Sequence, residues 1–173
     1  MALVVFLRGV NVGGHKTFRP KQLAEQLKHL GCVNIGAAGT FVIRKRVTQA
    51  RLRKEISARL PFECKIAICE GRDIINLIGK APFGDKPCES DVTRFVSVLL
   101  SRPARLPVAP LRWPDTGQWL VRVRAVEGRF IVGEYRRNMK TISYLGALDK
   151  RFGQAATTRN WNTFDAIAKQ LSI

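Results

Sequence analysis

Residues 2–8 are apolar almost without a break, the pattern of a strand covered on both faces. They lead into Gly9-Val10-Asn11-Val12-Gly13-Gly14, a turn-rich connection. Pro20 suits the first turn of a helix; Leu23, Leu27 and Leu30 follow at helical spacing, and Gly31 stops it. Residues 33–37 and 40–46 read as short strands hinged at Gly39. Thr48 then caps a second helix whose Leu52, Ile56 and Leu60 share a face before Pro61, and residues 62–69 form a fourth strand. The order is β-α-β-β-α-β, so residues 1–70 are expected to form a ferredoxin-like plait with the first strand beside the third. Leu23, Leu27, Leu52 and Ile56 should then pack on one face of the sheet.

Residues 71–173 make a second α+β half. A short helix is expected over 72–80 and a strong strand over 93–100. Residues 101–114 carry four prolines and read as an irregular surface connection. Residues 119–125 and 130–135 form strands joined by a turn at Glu127-Gly128, a hairpin. Two helices, about 144–152 and 160–171, close the chain. The fold class is therefore α+β, and the second half reads as a ferredoxin-like variant with two terminal helices.

Charge adds three readings to this picture: a non-catalytic binder of polyanions, an enzyme or sensor for a small anionic ligand, or an interaction module whose basic charge is incidental. Thirty Lys and Arg stand against 13 Asp and Glu, a net charge of +17. Residues 1–86 hold 16 basic and 6 acidic side chains and residues 87–173 hold 14 and 7, so the excess belongs to the folded body and not to a tail. Such a field attracts nucleic acid or another polyanion, or a small phosphorylated or carboxylated ligand. No stretch is long enough to span a membrane, no leader pattern is present, and no membrane partner is expected. Cys32, Cys64, Cys69 and Cys88 form no CxxC pair and read as reduced thiols of a cytoplasmic protein. Nothing in the pattern assigns an oligomeric state.

Two motifs could carry chemistry. Gly9 to Gly14 followed by His15-Lys16-Thr17 is one residue out of register with a P-loop, whose lysine directly follows the glycine, and nucleotide hydrolysis is not expected. A strand, a glycine loop and a helix start still expose backbone amides that favour an anion, with Arg8, Asn11, Gly13, Gly14, His15 and Lys16 as the candidate residues. The plain alternative is a tight connection whose glycines supply positive φ. The second motif is Thr157-Thr158-Arg159-Asn160-Trp161-Asn162-Thr163. Thr157 or Thr158 can cap the last helix, placing Arg159 and Asn160 in its first turn and Trp161, Phe164, Ile167, Ala168 and Leu171 on an apolar stripe. Trp161 is expected to anchor the core. A cation at a helix N-terminus is unfavourable for the helix, so Arg159 should have a carboxylate or ligand partner.

Arg8-Gly9-Val10-Asn11-Val12-Gly13-Gly14 and the Thr157–Thr163 segment together resemble the two signature segments of an uncharacterised bacterial family, domain of unknown function 1697. The resemblance implies two ferredoxin-like halves in one cytoplasmic chain and no established activity. Where members of that family carry Gln-Ser-Gly-Asn, this chain has Ala37-Ala38-Gly39-Thr40 and keeps only the glycine.

From Gln26 to Lys54 there is no acidic residue. Arg44, Lys45, Arg46, Arg51, Arg53 and Lys54 bracket the passage from the third strand to the second helix, and Arg122 and Arg124 add two positive charges on a later strand. The third strand offers only Phe41 for base stacking, so phosphate contact is the expected mode of nucleic-acid binding, not an aromatic sheet reader. Neither His15 nor His29 has zinc-ligand spacing, and GxSxG and HExxH do not occur. No catalytic residue, metal or cofactor is assigned. If the small ligand is the partner, it should sit between the glycine loop and Arg159-Asn160.

Overall fold

The computed structural model describes residues 1–108 and 111–172. They form two compact units, residues 1–78 with 162–173 and residues 79–161. This division differs from the 70/71 boundary expected from the pattern. The helix that follows the fourth strand and most of the last helix both join the first unit.

In the first unit the elements are β1 (Leu3–Leu7), α1 (Pro20–Gln26), β2 (Cys32–Ile35), β3 (Thr40–Ile43), α2 (Gln49–Ser57), β4 (Ile66–Glu70) and α3 (Gly71–Gly79). A single 3-10 turn, Lys28–Leu30, extends α1. The sheet order is β2-β3-β1-β4 with every pairing antiparallel, and the expected order of elements over residues 1–70 is the one found. Leu3, Val5 and Leu7 of β1 pack with Leu23, Leu27, Leu52 and Ile56 on one sheet face. On the opposite face the Phe6 ring stacks on Phe164 of α5 (Trp161–Leu171), with centroids 5.7 Å apart. Helices on both faces explain why β1 is apolar at every position. Thr48 caps α2 as expected, its hydroxyl accepting from the Arg51 amide at 3.2 Å.

The second unit is built on β5 (Val92–Leu99), β6 (Arg112–Trp113), β7 (Val121–Glu127), β8 (Phe130–Arg136), α4 (Thr141–Phe152) and β9 (Ala156–Asn160). The sheet runs β6-β7-β8-β5-β9, again with antiparallel pairings throughout. Phe95, Leu99, Val121, Val123 and Ile131 form one face and pack against Leu148 and Phe152 of α4. Gly133 is required there, because a Cβ would lie 2.5 Å from the Arg122 carbonyl and 2.6 Å from the Phe95 ring. The stretch read as irregular contains the short strand β6, which closes the sheet edge beside β7. Among the described residues no helix is long and apolar enough to cross a membrane.

One expectation is overturned. Ala156–Asn160 is not the cap and first turn of the last helix but a strand paired with the full length of Phe95–Leu99. Thr157 and Thr158 are good caps, yet they are also β-branched, and an open edge on β5 gives five backbone positions a ladder in place of one cap bond.

Candidate functional site

The glycine loop lies in the first unit and is closed on itself. Gly9, Asn11, Gly13, Gly14 and Lys16 all have positive φ. Asn11 stitches the loop: its side-chain amide donates to the Ala37 carbonyl at 3.1 Å and its Oδ1 accepts from the Phe18 amide at 2.9 Å. The Asn11 amide donates to the Lys16 carbonyl and the His15 amide to the Val12 carbonyl. Lys16 sends its ammonium to the Glu63 carbonyl at 2.8 Å. Arg8 is half-buried, with its amide bonded to the Lys65 carbonyl. Helix α1 begins at Pro20 as expected, so Thr17, Phe18 and Arg19 separate the loop from its N-terminus. Against it lies Gly39, at φ +74°, where a Cβ would sit 2.7 Å from Val10 and 2.9 Å from Leu7. The glycine retained in Ala37-Ala38-Gly39-Thr40 therefore admits the close approach of the loop.

Arg159 and Asn160 belong to the second unit, on β9. Arg159 donates to the Thr158 carbonyl at 2.9 Å, and burial pushes its guanidinium down to about 10. Asn160 accepts from the Tyr135 hydroxyl at 3.4 Å. The Ser97 and Thr158 hydroxyls share a 2.6 Å bond on the opposite face of β9 from Arg159. Trp161 is half-buried, edge-on to Phe83 with centroids 5.0 Å apart, while Phe164 and Ile167 are the fully buried members of the apolar stripe.

Arg44, Lys45, Arg46, Arg51, Arg53 and Lys54 of the acid-free segment are exposed, but these cations are not equivalent. Arg44 donates to Gln170 at 2.7 Å, Arg51 to Glu55 at 3.2 Å, and Arg53 to the Ile66 carbonyl. Lys45, Arg46 and Lys54 are exposed and make no side-chain hydrogen bond or ion pair among the described residues. Glu55 is already claimed by His29, Arg51 and Arg59. Desolvation raises its pKa, but the bonds from Arg51 and His29 outweigh that and hold it below the usual carboxylate range.

Arg122 and Arg124 lie on β7. They line a cleft of about 650 Å³ in the second unit together with Pro82, Leu111, Arg112, Trp119 and Val123. Register places Arg112 opposite Arg122, Arg122 opposite Glu134, and Glu134 opposite Arg94, one charged row across four strands. Glu134 is only 6% exposed. It accepts from Arg122 at 2.7 Å and lies 3.8 Å and 3.9 Å from Arg94 and Arg124. The guanidiniums of Arg122 and Arg136 lie 4.1 Å and 4.3 Å from the Trp119 ring centroid. Arg112 is fixed differently, by the carbonyls of Pro114 and Gly117.

A β-bulge creates this arrangement. From the turn, Glu127 pairs with Phe130 and Ala125 with Val132, but Val123 pairs with Gly133, so Arg124 is the extra residue. Without it Arg122 would face Tyr135 instead of Glu134. Arg112, Trp119 and Glu134 were not legible as site residues; the one available signal was the arginine alternation Arg122-Val123-Arg124 beside an isolated Glu134. Among the described residues no group of His, Cys, Asp and Glu is placed to hold a metal ion.

The profile of a family described as "Protein of unknown function (DUF1697)" matches residues 1–118, a span that includes the glycine-loop signature and ends before the Thr157–Thr163 one. No curated protein matches the chain. Among solved structures it is similar to the conserved bacterial protein SP0830 from Streptococcus pneumoniae, at 18% identity and a TM-score of 0.56, with 98% of each chain covered. At that identity the likeness is one of fold.

Proposed function

From the premise that this chain belongs to the DUF1697 family of proteins of unknown function, we propose that it is a non-catalytic binding protein for polyanions, nucleic acid foremost, engaged through phosphate contacts. The observation that carries this reading is the exposed trio Lys45, Arg46 and Lys54, which belongs to a run without acidic residues from Gln26 to Lys54 and makes no side-chain hydrogen bond or ion pair among the described residues. A cation without an internal partner gives up only water on meeting a phosphate, whereas Arg51 would first have to leave Glu55. A net charge of +17 supplies the long-range field that brings a polyanion to that surface.

The strand order supports reading both units as ferredoxin-like plaits. In each, the opening strand (β1 or β5) lies between the second strand of a hairpin (β3 or β8) and a late strand (β4 or β9). The second unit is then a variant in which the connection through residues 100–120 replaces the first helix. Four cysteines outside any disulfide among the described residues fit work in the cytoplasm.

The test is fluorescence anisotropy with a labelled duplex and a labelled single strand of the same length at low salt. Binding to both with little dependence on sequence is the expected result. Failure to bind either at low ionic strength rules the reading out.

A further inference from the structure

The cleft of the second unit carries a more specific ligand chemistry than open electrostatics. Three guanidiniums, from Arg94, Arg122 and Arg124, lie within 4 Å of one carboxylate, Glu134, and a fourth, from Arg112, stands on the strand beside Arg122. That carboxylate accepts its hydrogen bond from Arg122, leaving Arg124 at 3.9 Å, and among the described residues Arg112 bonds only to neutral carbonyls. Arg112 and Arg122 stand directly opposite each other on paired strands, where like charges are destabilising in the absence of an anion between them. Both side chains are nonetheless held in place, Arg112 by the Pro114 and Gly117 carbonyls and Arg122 by Glu134 and the Trp119 ring. Fixed forks of N–H donors, of which Arg112 is held by neutral carbonyls and so keeps its full charge, are what bidentate phosphate recognition uses.

The rest of the lining is Pro82, Leu111, Trp119 and Val123, of which Val123 is fully buried. A volume of about 650 Å³ falls within the range of small-ligand sites. Among the described residues no carboxylate lines the cleft, so its arginines themselves supply the counter-charge to an anion.

We propose that this cleft is a binding site for a nucleoside phosphate unit, its phosphates on Arg112, Arg122 and Arg124 and its base against Pro82 and Leu111. Such a unit can be a free nucleoside di- or triphosphate or one nucleotide of a single strand. The site is separate from the Lys45–Arg46–Lys54 surface and stands whether or not that surface binds polyanions.

The test is isothermal titration of the full chain with ATP, ADP, adenosine and pyrophosphate, each with and without EDTA. ADP and ATP bind, EDTA does not weaken them, adenosine does not bind, and pyrophosphate binds more weakly than ADP. Arg112→Gln, an exposed change outside the Glu134 cluster, weakens ADP by about ten- to a hundredfold, the value of a hydrogen bond to a charged group. Arg122→Gln does the same, while replacing Lys45, Arg46 and Lys54 with Gln leaves ADP affinity unchanged. A single-stranded oligonucleotide that competes with ADP, and is itself weakened by Arg112→Gln, identifies the strand as the source. An oligonucleotide that does not compete identifies the free nucleotide. Absence of ADP and ATP binding at millimolar concentration overturns the proposal, as does binding that the well-folded Arg112→Gln variant leaves intact.

Discussion

Glu134→Gln isolates the electrostatic role of the one carboxylate in the charged row. The substitution keeps shape and one acceptor oxygen, so it opens no cavity; what it removes is a negative charge within 4 Å of three guanidiniums, at 2.7, 3.8 and 3.9 Å. Breaking a buried ion pair by deleting one partner costs about 3–5 kcal/mol. The Arg122 and Arg94 side chains are 32% and 21% exposed and recover part of their hydration, so the expected loss is about 3 kcal/mol, at the bottom of that range. For a chain of this length that corresponds to a fall in Tm of about 6–12 °C. All three tryptophans, Trp113, Trp119 and Trp161, lie in the second unit, so tryptophan fluorescence during urea unfolding reports the unit that holds the substitution. Added salt should recover part of the loss, because it screens the repulsion among the arginines left behind. A change below about 0.5 kcal/mol, the size of an ordinary surface substitution, would show that Glu134 does not anchor the row.

Gly39→Ala should cost about 2–5 kcal/mol, combining left-handed backbone strain with a Cβ forced against Val10 and Leu7; a thermal melt unchanged from wild type would contradict the docking of the glycine loop. Phe164→Ala, at a fully buried ring stacked on Phe6, should cost about 3–5 kcal/mol, and half-buried Trp161→Ala should cost less in the same denaturation assay. In the native protein at pH 8, iodoacetamide should modify exposed Cys88 first. Burial pushes the Cys32 thiol up to about 12 and raises that of Cys64, and Cys69 is buried, so peptide mapping that found any of these three reacting as fast as Cys88 would refute this order.

What the sequence made legible follows from how each element is stabilised. Runs such as Leu3–Leu7 and the Leu23, Leu27, Leu52 and Ile56 stripes announce themselves, because their periodicity is the direct imprint of the faces they bury. Thr157-Thr158-Arg159 does not, since the same residues suit a cap and a strand, and the decision rests with β5, sixty residues away in sequence. The cleft was hidden for a different reason. Counting back from the Glu127-Gly128 turn pairs Val123 with Glu134, and only the extra residue Arg124 brings Arg122 there. Arg112 and Trp119 lie in or beside a proline-rich stretch with no periodicity to read, and a two-residue strand fixes their place. Likewise, the acid-free run was visible at once, but which of its cations are free depended on Gln170, Glu55 and the Ile66 carbonyl.

The polyanion reading stands or falls on the salt dependence of binding when Lys45, Arg46 and Lys54 are replaced together with Gln. Each phosphate contact contributes about 0.9 to the log–log salt slope on duplex and about 0.7 on single strands. If all three side chains touch phosphate, the triple variant should bind duplex with a slope smaller by about 2 to 3 and single strands with one smaller by about 2. The fold should be unaffected, because the three side chains are exposed and make no internal bond among the described residues. Anisotropy titrations of wild type and variant across a salt series measure this directly. A slope identical to that of wild type, in a variant that melts normally, would contradict the claim that this surface holds the polyanion.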